Sequence, residues 1–132
     1  MISEKLKKIT FLSLLLIYAH GLEEIIMGFW KFDSVLMTFN NNLQTIPQAV
    51  YYASHIPWWL VLIPMFLLIL GGKWTLRVMI LFGIVFIIEL HHLFGALISQ
   101  TYYPGMITAF FYPIVGFFYW KELIRNLKHS AK

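Results

Sequence analysis

The chain has 132 residues, 60% hydrophobic, 18% aromatic and 12% charged, with a formal net charge of +4 and a mean hydropathy of +0.74. Soluble domains run near 45–50% apolar and about 25% charged, and a chain of this length leaves roughly a third of its surface exposed. A soluble single domain is thereby excluded, and a bilayer is the solvent that fits. At about 20 apolar residues per crossing there is room for four spans and no extramembrane domain. The absence of Cys removes disulfides, thiolate metal sites and cysteine nucleophiles.

The first span is expected over 8–30, behind Lys5, Lys7 and Lys8. The same stretch, ending in Ala19-His20-Gly21, also has the basic, apolar and small-residue order of a secretory leader. An outer loop follows over 31–46, where Phe32, Val35, Leu36, Phe39 and Leu43 repeat at helical spacing. It reads as an amphipathic helix on the outer leaflet, or as a lid, with Asn40-Asn41-Asn42 as a solvated turn. The second span covers 47–70, and Gly71-Gly72-Lys73 is too short for anything but an antiparallel hairpin. The third covers 74–99. Tyr102-Tyr103-Pro104-Gly105 forms the next turn, with Pro104 suited to a first helical turn, and the fourth span covers 104–121.

The expected fold is an all-α integral membrane four-helix bundle, one transmembrane domain over 1–132. With four spans, Lys5, Lys7, Lys8, Lys73, Arg77, Lys121, Arg125, Lys128 and Lys132 share one face, against Lys31 alone on the other. The positive-inside rule makes the first face, and both termini, cytoplasmic. The positive charge is thus an orientation signal and a contact for anionic membrane lipid, not a nucleic-acid footprint.

Ionisable residues inside the spans carry the functional argument. His20, Glu23 and Glu24 fall in the first, His55 in the second, and Glu89, His91 and His92 in the third. A charged carboxylate near the bilayer centre costs roughly 2.5–3.5 kcal/mol even on the lenient insertion scale, so such groups read as functional by default. His55 and Glu89 each lie fifteen residues from their ends of the hairpin, and Glu23 lies fifteen beyond Lys8. At 1.5 Å per residue that is about 22 Å of helix in each case. Three helices therefore bring polar groups to one level, in the outer-leaflet half.

Their faces agree as well. His20, Glu23 and Glu24 stand at i, i+3 and i+4, while Glu89 and His92 form a Glu-x-x-His pair. In helical bundles that pair aims a carboxylate and an imidazole at one metal. His91 points about 100° away from His92, so His92 is the expected ligand. No Lys or Arg lies at that depth to neutralise the acids. A divalent metal, zinc or iron, as one or two ions, fits ligands His20, Glu24, His55, Glu89 and His92. A metal-free Glu–His network is the alternative.

His20-Gly21-Leu22-Glu23-Glu24 is also similar to the zinc-hydrolase helix His-x-x-Glu-His, with Glu in place of the second His. On that pattern His20 and Glu24 bind zinc and Glu23 is the catalytic general base, although two such close carboxylates can equally bridge two metals. Thr108 and Tyr112, at i and i+4 on the fourth span, are candidates for substrate binding. Pro57, Pro64 and Pro113 would leave the carbonyls of Ala53, Leu60 and Ala109 without helical partners. Trp58 and Trp59 are deep enough to wall a cavity.

His20-Gly21-Leu22-Glu23-Glu24, His55, His92 and Tyr103-Pro104-Gly105 followed by Thr108 together resemble the bacterial membrane proteins grouped as HXXEE-motif proteins. The resemblance spans essentially the whole chain and implies a multi-pass inner-membrane protein, but it implies no reaction.

The leading functional expectation is a metal-dependent enzyme with hydrolase-type chemistry on a lipidic or membrane-soluble substrate. A di-iron oxidoreductase, a metal-free Glu/His acid–base catalyst, and a small ion- or proton-conducting protein are the alternatives.

Overall fold

The computed structural model describes residues 2–43, 46–69 and 74–130; those residues are helical with short turns between, and no strand occurs among them. The helices are α1 (Glu4–Met27), α2 (Ser34–Leu43), α3 (Pro47–Ile69), α4 (Thr75–Ile88), α5 (His91–Ser99), α6 (Met106–Ala109) and α7 (Phe111–Ser130). A 3₁₀ turn over Phe29–Lys31 joins α1 to α2. Glu4–Met27 and Thr75–Ser99 are long and apolar enough to cross a membrane. The expected Gly71–Lys73 hairpin lies outside the described residues, as do the side chains of Val35, Phe39, Leu43, Pro57, Trp58 and Pro64.

Helix α1 turns a stripe of mixed polarity toward the bundle. Ser3 caps its start, its hydroxyl accepting from the Leu6 N–H at 3.2 Å, and Gly28 ends it at φ +68°. That left-handed conformation suits glycine. The inward stripe is Leu6, Thr10, Ser13, Ile17, His20, Gly21 and Glu24. Thr10 and Ser13 hydroxyls donate to the carbonyls of Leu6 and Ile9, one turn back. Phe11, Leu12, Leu15, Leu22 and Ile26 are exposed. Polar, small and two large apolar groups, Leu6 and Ile17, thus point in, while the large apolar side chains of Phe11, Leu12, Leu15, Leu22 and Ile26 point out.

Helices α4 and α7 pack closely through small residues. A side chain at Gly83 would meet the Trp120 ring at 2.7 Å, and one at Gly116 would meet Phe86 Cβ at 2.8 Å. Tyr119 donates to the Met79 carbonyl at 2.7 Å and Trp120 to that of Gly83 at 3.1 Å. Helix α7 also packs along α1. Beside α1's start, Ser3 N–H donates to Asn126 Oδ1 at 2.8 Å and Ser3 Oγ donates to the buried Glu122 at 2.9 Å. The first and last described helices thus begin and finish at the same end.

Two helix breaks position the site at the other end. Pro113 has no N–H for the Ala109 carbonyl, and the helix is interrupted at Phe110, between α6 and α7. Between α4 and α5 the chain is overwound: Leu90, His92 and Leu93 N–H groups donate three residues back, to Ile87, Glu89 and Leu90. Such a tight turn inside a long helix shifts the azimuth of the residues on it. Both Glu89 and His92 are on it. Pro104, expected inside the first turn of the last span, precedes Gly105, which is the N-cap of α6. Asn40–Asn42, expected as a turn, lie within α2. Leu36 of α2 is buried with Phe29 and Tyr51, whereas Phe32 is exposed.

Candidate metal centre

Glu89 sits between the two imidazoles. Its Oε2 is 3.0 Å from His20 Nε2 and 3.3 Å from His92 Nε2. Glu24 Oε1 lies 3.2 Å from His92 Nε2 and 3.9 Å from His20 Nε2. His20 and Glu24 come from α1, Glu89 from the overwound turn, and His92 from the first turn of α5. His20 is 3% exposed, Glu24 4% and His92 0%, so bulk water is excluded from all three.

The outer nitrogens of both rings are already committed. His92 Nδ1 is 2.6 Å from the Pro104 carbonyl oxygen, which can only accept, so Nδ1 carries the proton. His20 Nδ1 is 2.6 Å from Thr108 Oγ1, and Thr108 Oγ1 donates to Glu23 Oε2 at 2.6 Å. With its only proton given to a carboxylate, the Thr108 oxygen accepts from His20 Nδ1–H. In the neutral rings both Nε2 atoms therefore present lone pairs. Both are buried, and neither makes a hydrogen bond among the described residues. The third buried side-chain atom there without a hydrogen bond is the Tyr112 hydroxyl, on a ring 5.2 Å edge-on from His20.

A lone pair facing a carboxylate oxygen near 3 Å is repulsive unless a cation lies between them. Zinc binds imidazole nitrogen and carboxylate oxygen at about 2.0–2.2 Å, which puts neighbouring donors roughly 2.9–3.5 Å apart for octahedral to tetrahedral angles. The 3.0, 3.2 and 3.3 Å separations fall inside that interval. His20, Glu89 and His92 offer ligand atoms all within 4.8 Å of one another, a group that can hold a metal ion. Two neutral imidazoles with the Glu24 and Glu89 carboxylates balance one divalent charge.

The other expected site residues are distributed around this centre. Glu23 accepts from the Tyr102 hydroxyl at 2.7 Å, the N–H groups of Ile107 and Thr108 at 3.0 and 2.8 Å, and the Thr108 hydroxyl. Instead of standing free as a base it caps the N-terminus of α6 from a neighbouring helix. Thr108 is the link between that cap and His20. His55 is outside the ligand group: its Nδ1 bonds the Tyr51 carbonyl at 2.8 Å and its ring stacks on Tyr51 at 4.0 Å. His91 turns away, its Nδ1 bonded at 2.9 Å to the Ile88 carbonyl, whose usual partner, the His92 N–H, goes to Glu89.

Sequence reasoning missed four contributors. Tyr51 donates to Glu24 Oε2 at 2.9 Å and is wholly buried; its spacing of i, i+4 from His55 was the available signal. Tyr102, the Pro104 carbonyl and Gly105 come from a loop, where no periodicity points inward. Gly105 holds φ +90°, and a Cβ there would meet His92 Nδ1 at 2.6 Å and His20 Cε1 at 2.7 Å. Only glycine fits between the rings.

Beside the centre lies a cavity of about 630 Å³. His20, Glu24, Ser54, His55 and Glu89 form its polar part, and Gly21 and apolar side chains that include Trp59, Leu81, Ile84 and Ile88 the rest. Leu81, Ile84 and Ile88 are exposed on the outer surface of the helices, so the cavity opens sideways. Above it, Phe29 and Tyr103 pack on His92 at ring distances of 4.9 and 5.8 Å.

A family model described as "protein of unknown function with HXXEE motif" matches residues 11–119. The chain belongs to this family. No curated protein and no solved structure matched it. In this HXXEE protein the motif's three named residues divide the work. His20 enters the centre, Glu24 reaches the centre and Tyr51, and Glu23 holds the loop that covers both.

Proposed function

We propose that this HXXEE protein is a membrane-embedded, metal-dependent enzyme with hydrolase-type chemistry on a lipidic substrate. The observation that carries the reading is the pair of buried Nε2 atoms that converge on Glu89 Oε2 at 3.0 and 3.3 Å without a hydrogen bond. His20, His92 and Glu89, with Glu24 at the edge, would hold one zinc or iron ion. A divalent ion supplies Lewis acidity and water activation at neutral pH. One ion is favoured over two because Glu23, which a bridged pair would need, is engaged by four donors.

The remaining residues orient and exclude. Pro104 and Thr108 fix the two ring tautomers, as the outer partners of metal-bound histidines do. Tyr51 holds Glu24, and Tyr112 offers an unsatisfied hydroxyl to the same buried space. A cavity that opens sideways between apolar side chains favours a substrate drawn from lipid. The bundle is read as four membrane-spanning stretches in a bacterial-type inner membrane, with both termini cytoplasmic. The shared end of α1 and α7, where Lys5, Lys7 and Lys8 of one helix and Lys121, Arg125 and Lys128 of the other lie, supports that orientation.

A metal-free imidazolium–carboxylate network has the same nitrogen–oxygen distances and is the second reading. Elemental mass spectrometry on protein purified through a tag other than polyhistidine separates them. Stoichiometric zinc or iron, absent from His20→Ala and Glu89→Gln, is the expected result. Folded wild-type protein that takes up neither metal on titration overturns the proposal and leaves the acid–base network.

A further inference from the structure

The cavity has a second polar wall that the centre does not use. On α3, Tyr51 lies three residues before Ser54 and four before His55, and Trp59 lies four after His55, so Tyr51, His55 and Trp59 share one face with Ser54 beside it. His55 Nδ1 lies 2.8 Å from the Tyr51 carbonyl and 2.9 Å from Ser54 Oγ. Since the carbonyl can only accept, the Nδ1 atom carries the proton and the neutral ring keeps its lone pair on Nε2. Stacking on Tyr51 at 4.0 Å, with an interplanar angle of 21°, holds the ring in that orientation. His55 lines the same cavity as His20, Glu24 and Glu89, and with Nδ1 committed to Tyr51 its Nε2 is the ring nitrogen left for a ligand.

We infer that His55 is not a metal ligand but the proton-accepting residue of the substrate cavity, facing the polar head of an amphiphile whose chain leaves sideways past Leu81, Ile84 and Ile88. The inference rests on the metal reading of the neighbouring centre. It also supplies what Glu23 does not: Glu23 is tied to α6, whereas His55 has an available lone pair inside the cavity. In hydrolysis of an ester, the oxygen of a water molecule bonds to the carbonyl carbon as its proton passes to His55 Nε2. The ester C–O bond then breaks, and the departing alkoxide takes that proton back.

The tyrosine beneath the ring explains how the two walls are kept in register. Tyr51 gives its carbonyl to His55 and its hydroxyl to Glu24, so one buried residue sets both the imidazole and a carboxylate of the centre. Trp59, packed on Gly21 with its ring 2.6 Å from where a Cβ would stand, closes the side of the cavity toward α1. An amphiphile's head thereby sits between His55 and Glu89, and its chain leaves past the exposed Leu81, Ile84 and Ile88.

The test uses full-length protein in lipid nanodiscs. Native mass spectrometry counts zinc, and diethyl pyrocarbonate, which attacks neutral imidazole nitrogen, reports His55 Nε2 residue by residue. Zinc-loaded protein is expected to be modified at His55. That modification is expected to be lost when dodecanoyl hydroxamate is added with zinc, and retained with the hydroxamate in zinc-free protein. His55→Gln and His55→Asn are expected to keep stoichiometric zinc. Shielding of His55 by zinc alone, or loss of zinc from folded His55 variants, makes it a ligand and overturns the inference. So does a His55 that never reacts, or one that the zinc-dependent hydroxamate leaves unshielded. Failure of wild type to take up either zinc or iron is read separately, by the metal count, and overturns the underlying metal reading.

Discussion

The Nδ1–H of His92 donates to the carbonyl oxygen of Pro104 at 2.6 Å, across twelve residues of chain. That bond joins the buried centre to the loop above it and fixes which ring nitrogen faces Glu24 and Glu89. Ligand geometry and loop conformation are therefore one structural unit. His92→Ala is expected to abolish stoichiometric metal and also to raise amide hydrogen exchange over 100–108. Unchanged exchange there in a variant that has lost its metal would separate the loop from the centre.

Gly105 is the tightest steric point of the arrangement. An alanine there takes on a left-handed conformation at about 1–2 kcal/mol and pushes a methyl group into His92, for which overpacking costs of about 1–3 kcal/mol are typical. Gly105→Ala is expected to lower the thermal midpoint in detergent and to weaken metal binding together. Gly28→Ala, also at positive φ but next to the Lys31 side chain at 3.5 Å, should lower the midpoint and leave the metal in place.

Glu23 and Glu89 are expected to behave differently when neutralised. Glu89→Gln removes a ligand charge and should release the ion. Glu23→Gln keeps a cap on α6, and Thr108→Val cuts the connection to His20; each should weaken metal affinity by about 10–100-fold, as outer partners of ligating histidines do. Competitive zinc titration against a chelating dye measures all three. Equal losses in Glu23→Gln and Glu89→Gln would return Glu23 to the ligand group.

Alkaline pH should loosen the covering loop. Burial, and then the hydrogen bond to Glu23, push the Tyr102 hydroxyl from 10.0 up to about 12. Burial and the Asp33 carboxylate raise Tyr103 to about 12 as well. A raised folded value means that the stabilisation from each hydroxyl is complete below pH 10 and is lost as pH rises toward 12. Loop exchange rates are expected to climb across that window. In Tyr102→Phe part of the climb should vanish, and ultraviolet titration should lose one late phenol.

Much of the centre was legible because helical spacing is local. His20 with Glu24, and Glu89 with His92, are one turn apart, and a shared depth of about 22 Å on three helices was computable from rise alone. That Glu4–Met27 and Thr75–Ser99 are long and apolar enough to cross a membrane was legible for the same reason, since hydropathy is a property of composition. The division between Glu23 and Glu24 was not. Adjacent residues differ by only about 100° on a helix, and which neighbour each one meets depends on where α6 arrives. His55 was matched in depth, but its ring turns onto Tyr51, a choice of side-chain rotamer within α3.

The amino-acid sequence by itself determined that the chain is helical, that two of its helices are long and apolar enough to cross a membrane, and which polar residues stand in the apolar stretches. The tertiary structure alone decided that His20, Glu24, Glu89 and His92 meet, that Glu23 caps a helix, and that Gly105 separates the rings. The reason is physical. Hydrophobicity and periodicity act within a turn or two of helix, whereas ligand convergence depends on the overwound turn at Glu89 to Leu93 and the break before Pro113. At the first, N–H groups bond three residues back and the Ile88 carbonyl accepts from His91 Nδ1; at the second, Pro113 leaves the Ala109 carbonyl without its helical donor.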